Sequence, residues 1–354
     1  MTGSPSAKAL TTYAQTHKDN TVVLGAIERH VLQRPDDGDR DMTQLHPSEI
    51  SKNRWCPRKD YFSIAVPHLA VAEDFGFQTL RIFEEGHDIH AKWQLWLKEM
   101  GILWGKWKCF RCETYTWAQS CDLGPCPRCG HPDPWVYKEA PLSLPSHALI
   151  GHTDGVLILP DKPRLLEVKS IGLGTVRVMN SSLYDSFLKG EINLDQMWWR
   201  IKRPFAAHIR QGMLYLRMAM AWNLLIGHQI MPKINEIVFI YEWKPTQKVK
   251  EFVLTYNEQL IDSQLAGAQS VADGLRHGIA PSRPSWTEDR KMDTPACKKC
   301  AYQTLCWSTN DQSPPGVAQP DLTAIAPAAL PAAPVLTIKR ASASTRRRAV
   351  AGVG

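Results

Sequence analysis

"LIGHTDGVLILPDKPRLLEVKS", residues 149–170, decides how the chain is read. Two apolar runs with strand character flank a short turn marked by Pro160 and Pro163. Such strands are normally buried, yet Asp154, Glu167 and Lys169 interrupt them. Side chains alternate along a strand, so Glu167 and Lys169 share one face while Val168 points the other way. Pairing of the two strands brings Asp154 close to Glu167. Two carboxylates that close repel each other and require a proton or a cation between them. A divalent metal meets that requirement, and the resulting set suits phosphodiester hydrolysis. Metal neutralises phosphate charge and makes bound water a better nucleophile; a neighbouring lysine orients that water and counters the developing charge.

The rest of the chain frames this stretch. With 354 residues, 44% apolar and 22% charged, the composition is that of a soluble globular protein. Residues 1–15 lack the apolar core of a signal peptide, and the most apolar run, 213–226, is short and broken by Arg217, so a cytoplasmic location is expected and no membrane partner. Residues 1–44 form an extension with one helix expected over 21–34. "HPSEISKNRWCPRKDYF" opens a helix that Ser48 can cap. "FQTLRIFEEGHDIHAKWQLWLKEM" has helical periodicity through Leu80, Phe83, Ile89, Trp93 and Trp96. A long helical region is expected over 194–225, strands at "EIVFIYEW" and "KEFVLTY", and a last helix over 257–277. After residue 308 the Pro/Ala-rich basic tail, 309–354, lacks material for a core and reads as disordered.

The net charge of +7 is unevenly spread. No acid lies between Asp195 and Glu236, whereas Arg200, Lys202, Arg203, Arg210, Arg217 and Lys233 do, beside Trp198 and Trp199. Cations interleaved with aromatic rings suit a nucleic-acid groove. A basic helix face over core tryptophans is the plainer alternative.

Asp154 followed by Glu167-Val168-Lys169 on adjacent strands resembles the PD-(D/E)xK nuclease superfamily. Two further motifs resemble its RecB-like branch. "GHDIHAKWQ" places His90 four residues after Gly86 on a helix, the spacing of that branch's histidine metal ligand; His87 has the wrong spacing. "HIRQGMLYLRM" carries Gln211 and Tyr215 at i, i+4 on one helix face, like the branch's Q-x-x-x-Y motif beside the active site, which contacts DNA. The resemblance implies that His90, Asp154, Glu167 and the Val168 carbonyl bind Mg²⁺ or Mn²⁺, with a histidine ligand favouring Mn²⁺ as activator. Asp154, Glu167 and Lys169 would be the catalytic group.

Nine cysteines fall into two systems. Cys109-x2-Cys112 and Cys126-x2-Cys129, in "CFRC" and "CPRCG", form a zinc-ribbon pattern within residues 101–137. Cys121 and His131 are alternative ligands. This segment reads as an insert, absent from the minimal family pattern. Cys56 in "CPRKDYF", with Cys297, Cys300 and Cys306 in "CKKCAYQTLCW", brackets the remainder. That set resembles the iron–sulfur ligands of CRISPR-associated RecB-like and AddB-type exonucleases, which implies a 4Fe–4S cluster; a structural zinc fits the same thiolates.

Together these readings lead to an α/β fold, a mixed central sheet flanked by helices, over residues 45–308. The implied activity is metal-dependent DNA exonuclease action on single-stranded or end-containing DNA, in recombination, repair or replication. Partner proteins from those processes would follow. Gln211, Tyr215, Arg200, Lys202, Arg203 and Arg210 would contact DNA. Stand-alone proteins with such added modules also resemble ones encoded by bacterial viruses. The rival reading is a noncatalytic DNA-binding or scaffold protein with two structural zincs, and a third is a redox sensor using the cluster.

Overall fold

A computed structural model describes residues 12, 23–34, 41–69, 75–225, 233–287 and 291–308. The tail at 309–354 and much of the 1–44 extension lie outside the described residues. In chain order the elements are α1 (Leu24–Leu32), α2 (Pro47–Ile50), α3 (Pro57–Ala65), α4 (Phe77–Glu99), β1 (Leu103–Cys109), β2 (Tyr115–Gln119), β3 (Trp135–Lys138), β4 (Ala140–Leu144), β5 (Leu149–Thr153), β6 (Gly155–Ile158), β7 (Pro163–Ile171), α5 (Leu173–Met179), α6 (Ser181–Leu188), α7 (Leu194–Arg200), α8 (Ala206–Leu225), β8 (Glu236–Trp243), β9 (Lys248–Thr255), α9 (Asp262–His277), α10 (Pro295–Lys298) and α11 (Gln303–Ser308).

The central sheet is mixed, in the order β2-β1-β6-β7-β8-β9, with β3 also on β1. β6 and β7 are antiparallel; β7 and β8 are parallel, joined by the α5–α8 crossover. β4 and β5 form a separate pair. β8 is buried on both faces, as expected of a central strand, whereas the edge strand β9 alternates between exposed and half-buried. Along β7 the alternation is explicit. Leu165 and Ile171 enter the large core beneath α8, and Leu166 and Val168 enter a smaller core with Ile89 and Leu97 of α4. The sheet is thus flanked by helices on both faces, as the sequence implied.

Three local expectations change. The run 149–158 is two strands rather than one, because Asp154 leaves the ladder and its Oδ2 accepts the Val168 N–H at 2.6 Å. The helical region 194–225 breaks at residues 201–205, where Pro204 removes a donor and disfavours helix before it. Pro47, not Ser48, opens α2, since its fixed φ suits a first helical position.

The cysteine-bearing segment is continuous with the sheet. β1 pairs β6 at Leu103–Trp104 and pairs β3 from Lys106 to Cys109. Trp104 and Trp107 are fully buried, and Trp117 of β2 packs on Trp222 of α8 at 5.4 Å between centroids. Gly212 lets α8 lie close against β8: a Cβ there would stand 2.5 Å from Phe239 Cζ and 3.0 Å from Ile237 Cδ1.

Candidate metal and nucleic-acid site

The break at Asp154 and the alternation of β7 create the site. Asp154 and Glu167 are 6% and 3% exposed. α4 supplies His90, whose Nδ1 lies 3.1 Å from Asp154 Oδ1; His87, three residues earlier, is exposed. Lys169 Nζ donates to Glu167 Oε1 at 2.6 Å and to Gln211 Oε1 at 3.0 Å. Gln211 Nε2 faces the Tyr215 hydroxyl at 3.3 Å. One chain of contacts therefore runs Glu167–Lys169–Gln211–Tyr215, joining β7 to α8. Gln211 and Tyr215 are both buried; Gln211 addresses Lys169, and Tyr215 addresses Gln211.

Sequence reading missed two residues. Glu139, between β3 and β4, has a carboxylate oxygen within 4.8 Å of ligand atoms of both His90 and Asp154. Gln94 Nε2 reaches both Glu139 Oε1 at 3.3 Å and the Asp154 carbonyl at 3.0 Å. Gln94 was findable, being one turn after His90 on the same helix face. Glu139 carries no local signal; it is a single acid ahead of an apolar strand.

Burial pushes Glu167 up to about 7, with Asp154's charge adding and Lys169 opposing. Burial likewise pushes Glu139 up to about 7, with Asp154 adding and His90 opposing. Burial disfavours charge on His90, but the adjacent Asp154 outweighs it and the net direction is upward. Glu167 Oε2 is fully buried without a hydrogen-bond partner. A buried carboxylate oxygen with no donor is costly. His90 and Lys169 are the cationic groups against these three carboxylates; the ligand atoms gathered within 4.8 Å are those of His90, Glu139 and Asp154, with Glu167 outside that group, and the donor set fits a hard or borderline divalent cation.

Cys109, Cys112, Cys126 and Cys129 have sulfurs all within 4.8 Å of one another. The Cys109–Cys129 and Cys112–Cys126 separations are 3.7 and 3.6 Å. A tetrahedral ion with metal–sulfur bonds near 2.3 Å spaces its thiolates by about 3.8 Å, so this group fits a single zinc. Cys121 is exposed, and neither it nor His131 belongs to the group.

Cys56 meets the C-terminal cysteines across the fold. Cys56, Cys297 and Cys306 line one pocket with Arg58, Arg283, Thr287 and Trp307. Burial pushes the Cys56 thiol up to about 11, and nearby Cys306 and Cys300 add to this. These sulfurs are not gathered as closely as the zinc-type group.

Among the expected DNA-binding residues, Arg200, Lys202 and Arg203 are exposed. Lys202 Nζ sits 3.3 Å from the ring centroid of Trp199, itself 67% exposed. Arg210 is instead engaged internally, through Ser51 O at 2.8 Å and Asn53 Oδ1 at 2.6 Å. The exposed group is tied to the site: Phe205 N–H donates to the Tyr241 hydroxyl at 3.0 Å, and Tyr241 is the register partner of Lys169. His208 also meets that hydroxyl, at 2.5 Å, and burial holds its pKa well below the usual range.

No protein-family model and no curated protein matches the chain. Among solved structures, the crystal structure of SSO0001 is similar over 81% of this chain and 96% of that one, at 10% identity and a TM-score of 0.36. The crystal structure of LHK-Exo in complex with dAMP is similar over 66% of this chain and 89% of that one, at 10% identity and a TM-score of 0.33. Among the described residues no helix is long and apolar enough to cross a membrane. What the site can do therefore rests on its own residues: a mixed α/β scaffold presents a histidine–carboxylate group and a four-cysteine group, each able to hold metal.

Proposed function

We propose that the chain is a metal-dependent DNA nuclease, with exonuclease action on single-stranded or end-containing DNA, of the RecB-like PD-(D/E)xK type. The observation that carries this reading is His90 held against the buried Asp154, with the buried, unpartnered Glu167 Oε2 and Lys169 anchored on the Glu167 carboxylate. His90, Asp154, Glu167 and the Val168 carbonyl would hold Mg²⁺ or Mn²⁺. When bound, that ion supplies Lewis acidity and a more acidic water.

The chain's own residues do the remainder. Lys169 presents a fixed cation where negative charge develops at the phosphate and orients the attacking water. Gln211 holds the ammonium from the other side, so its position does not depend on Glu167 alone. Trp199 and Lys202 offer a ring for a base and a cation for a phosphate. Arg200 and Arg203 add phosphate contacts. Cys56, Cys297, Cys300 and Cys306 would carry a 4Fe–4S cluster, a larger occupant than one ion, beside the pocket that Cys56, Cys297 and Cys306 line with Arg58 and Arg283. Cys109, Cys112, Cys126 and Cys129 would carry zinc.

The deciding experiment is digestion of end-labelled single-stranded and duplex oligonucleotides by anaerobically purified protein with Mn²⁺ or Mg²⁺. Cleavage by the wild type, lost in Asp154→Asn and Lys169→Ala while DNA binding persists, is the expected result. DNA binding without cleavage under either metal overturns the enzyme reading in favour of a noncatalytic binding protein.

A further inference from the structure

Glu139 lies at a junction that the mechanism above does not use. β3 ends at Lys138 and β4 begins at Ala140, so Glu139 is the hinge residue between the central sheet and the β4–β5 pair. β1 is the common neighbour that places it. At its start, β1 pairs with β6, the strand that begins immediately after Asp154. Towards its end, β1 pairs with β3 in the register Lys106↔Lys138 and Cys109↔Trp135. Asp154 and Glu139 are therefore set relative to each other by ladders on a single strand. The far end of that strand is Cys109, one of the four clustered cysteines. The strand leading to Glu139 thus leaves directly from the four-cysteine centre.

The contacts of Glu139 point into the site. Its carboxylate lies within 4.8 Å of the ligand atoms of His90 and Asp154. Gln94 braces Oε1 while also holding the Asp154 carbonyl. A half-buried acid placed against a second, buried acid is unfavourable without a cation between them. Glu167, whose buried Oε2 has no hydrogen-bond partner, interacts electrostatically with the same Asp154 and His90, which makes a second uncompensated carboxylate beside this group.

We propose that Glu139 is a further ligand to the divalent ion, and that the four-cysteine centre serves this ligand by clamping the β1–β3 ladder that delivers it. Gln94 is then a positioning residue, acting through Glu139. The inference rests on the divalent-metal reading of the site.

The test is Mn²⁺ binding to the full-length protein without DNA, followed by loss of the free-ion electron paramagnetic resonance signal. Wild type, Glu139→Gln, Glu139→Asp and Asp154→Asn are compared, with zinc content and thermal melting measured on each. Glu139→Gln keeps the shape and can still meet Gln94. It is expected to weaken Mn²⁺ binding at least tenfold, with zinc content and metal-free melting temperature preserved. Glu139→Asp, which keeps the charge on a shorter stem, is expected to lie between Glu139→Gln and wild type. Wild-type Mn²⁺ affinity in Glu139→Gln, with loss in Asp154→Asn, overturns the assignment of Glu139 and leaves the nuclease reading intact. Wild-type affinity in both variants overturns the divalent site itself. Loss of zinc or of folding in Glu139→Gln makes Glu139 a structural anchor of β3 and overturns the proposal.

Discussion

Gln211 offers the sharpest separation between two ways of building this site. The i, i+4 motif implies that Gln211 contacts DNA, whereas the geometry gives it to Lys169 at 3.0 Å. Consider Gln211→Leu, which keeps volume on a buried helix position and removes the acceptor. A hydrogen bond to a charged group contributes about 1.5–3 kcal/mol. At about 1.4 kcal/mol per tenfold, the cleavage rate at saturating protein and Mn²⁺ should fall about 10- to 150-fold. Lys169→Ala removes the charge itself and should cost about 10²–10³-fold, as for one preorganised donor. If Gln211 acts only by holding Lys169, the double variant should be no slower than Lys169→Ala alone. The assay is single-turnover cleavage of a labelled single strand, with DNA affinity measured separately by anisotropy. A further tenfold loss from Gln211→Leu in the Lys169→Ala background, or a tenfold weaker DNA affinity, would refute the reasoning and return Gln211 to the DNA.

Other outcomes follow from the same structure. Trp199→Ala should weaken single-strand affinity by about 1–3 kcal/mol, the scale of one base stack, while the rate at saturating protein stays unchanged; an unaltered affinity would remove Trp199 from the DNA path. Gly212→Ala forces a methyl to within 2.5 Å of Phe239 Cζ, so thermal melting should show a loss of about 1–3 kcal/mol, the usual cost of overpacking. Cys112→Ser should release the zinc and lower Mn²⁺ affinity, because Glu139 is reached through the β1–β3 ladder; metal analysis beside Mn²⁺ titration checks both. Cys297→Ala should remove iron without removing zinc, since the two cysteine groups lie in separate parts of the fold, and elemental analysis decides this directly.

Period-two alternation made Glu167 and Lys169 legible as one face of a strand, because that rule depends only on local backbone geometry. Helical spacing did the same for the shared face of Gln211 and Tyr215, and the resemblance to the G-x-x-x-H motif singled out His90. The paired C-x2-C spacing identified the four-cysteine group of residues 109–129, and the run of apolar strand and helix patterns led to a mixed α/β sheet. Each of these signals is carried by residues close in sequence. What the sequence left open is governed by contacts between distant residues. The separation of Asp154 into its own turn depends on the Val168 N–H, fourteen residues on. Glu139 enters the site only through the β1–β3 register, which no local pattern encodes. Arg210 and Arg203 look alike in the chain, yet one is held by Ser51 and Asn53 and the other is free at the surface. Gln211 faces Lys169 because Gly212 lets α8 close onto β8. Sequence thus determined which side chains share a face; tertiary packing decided which faces meet, because burial and pairing energies are settled only when remote elements are brought together.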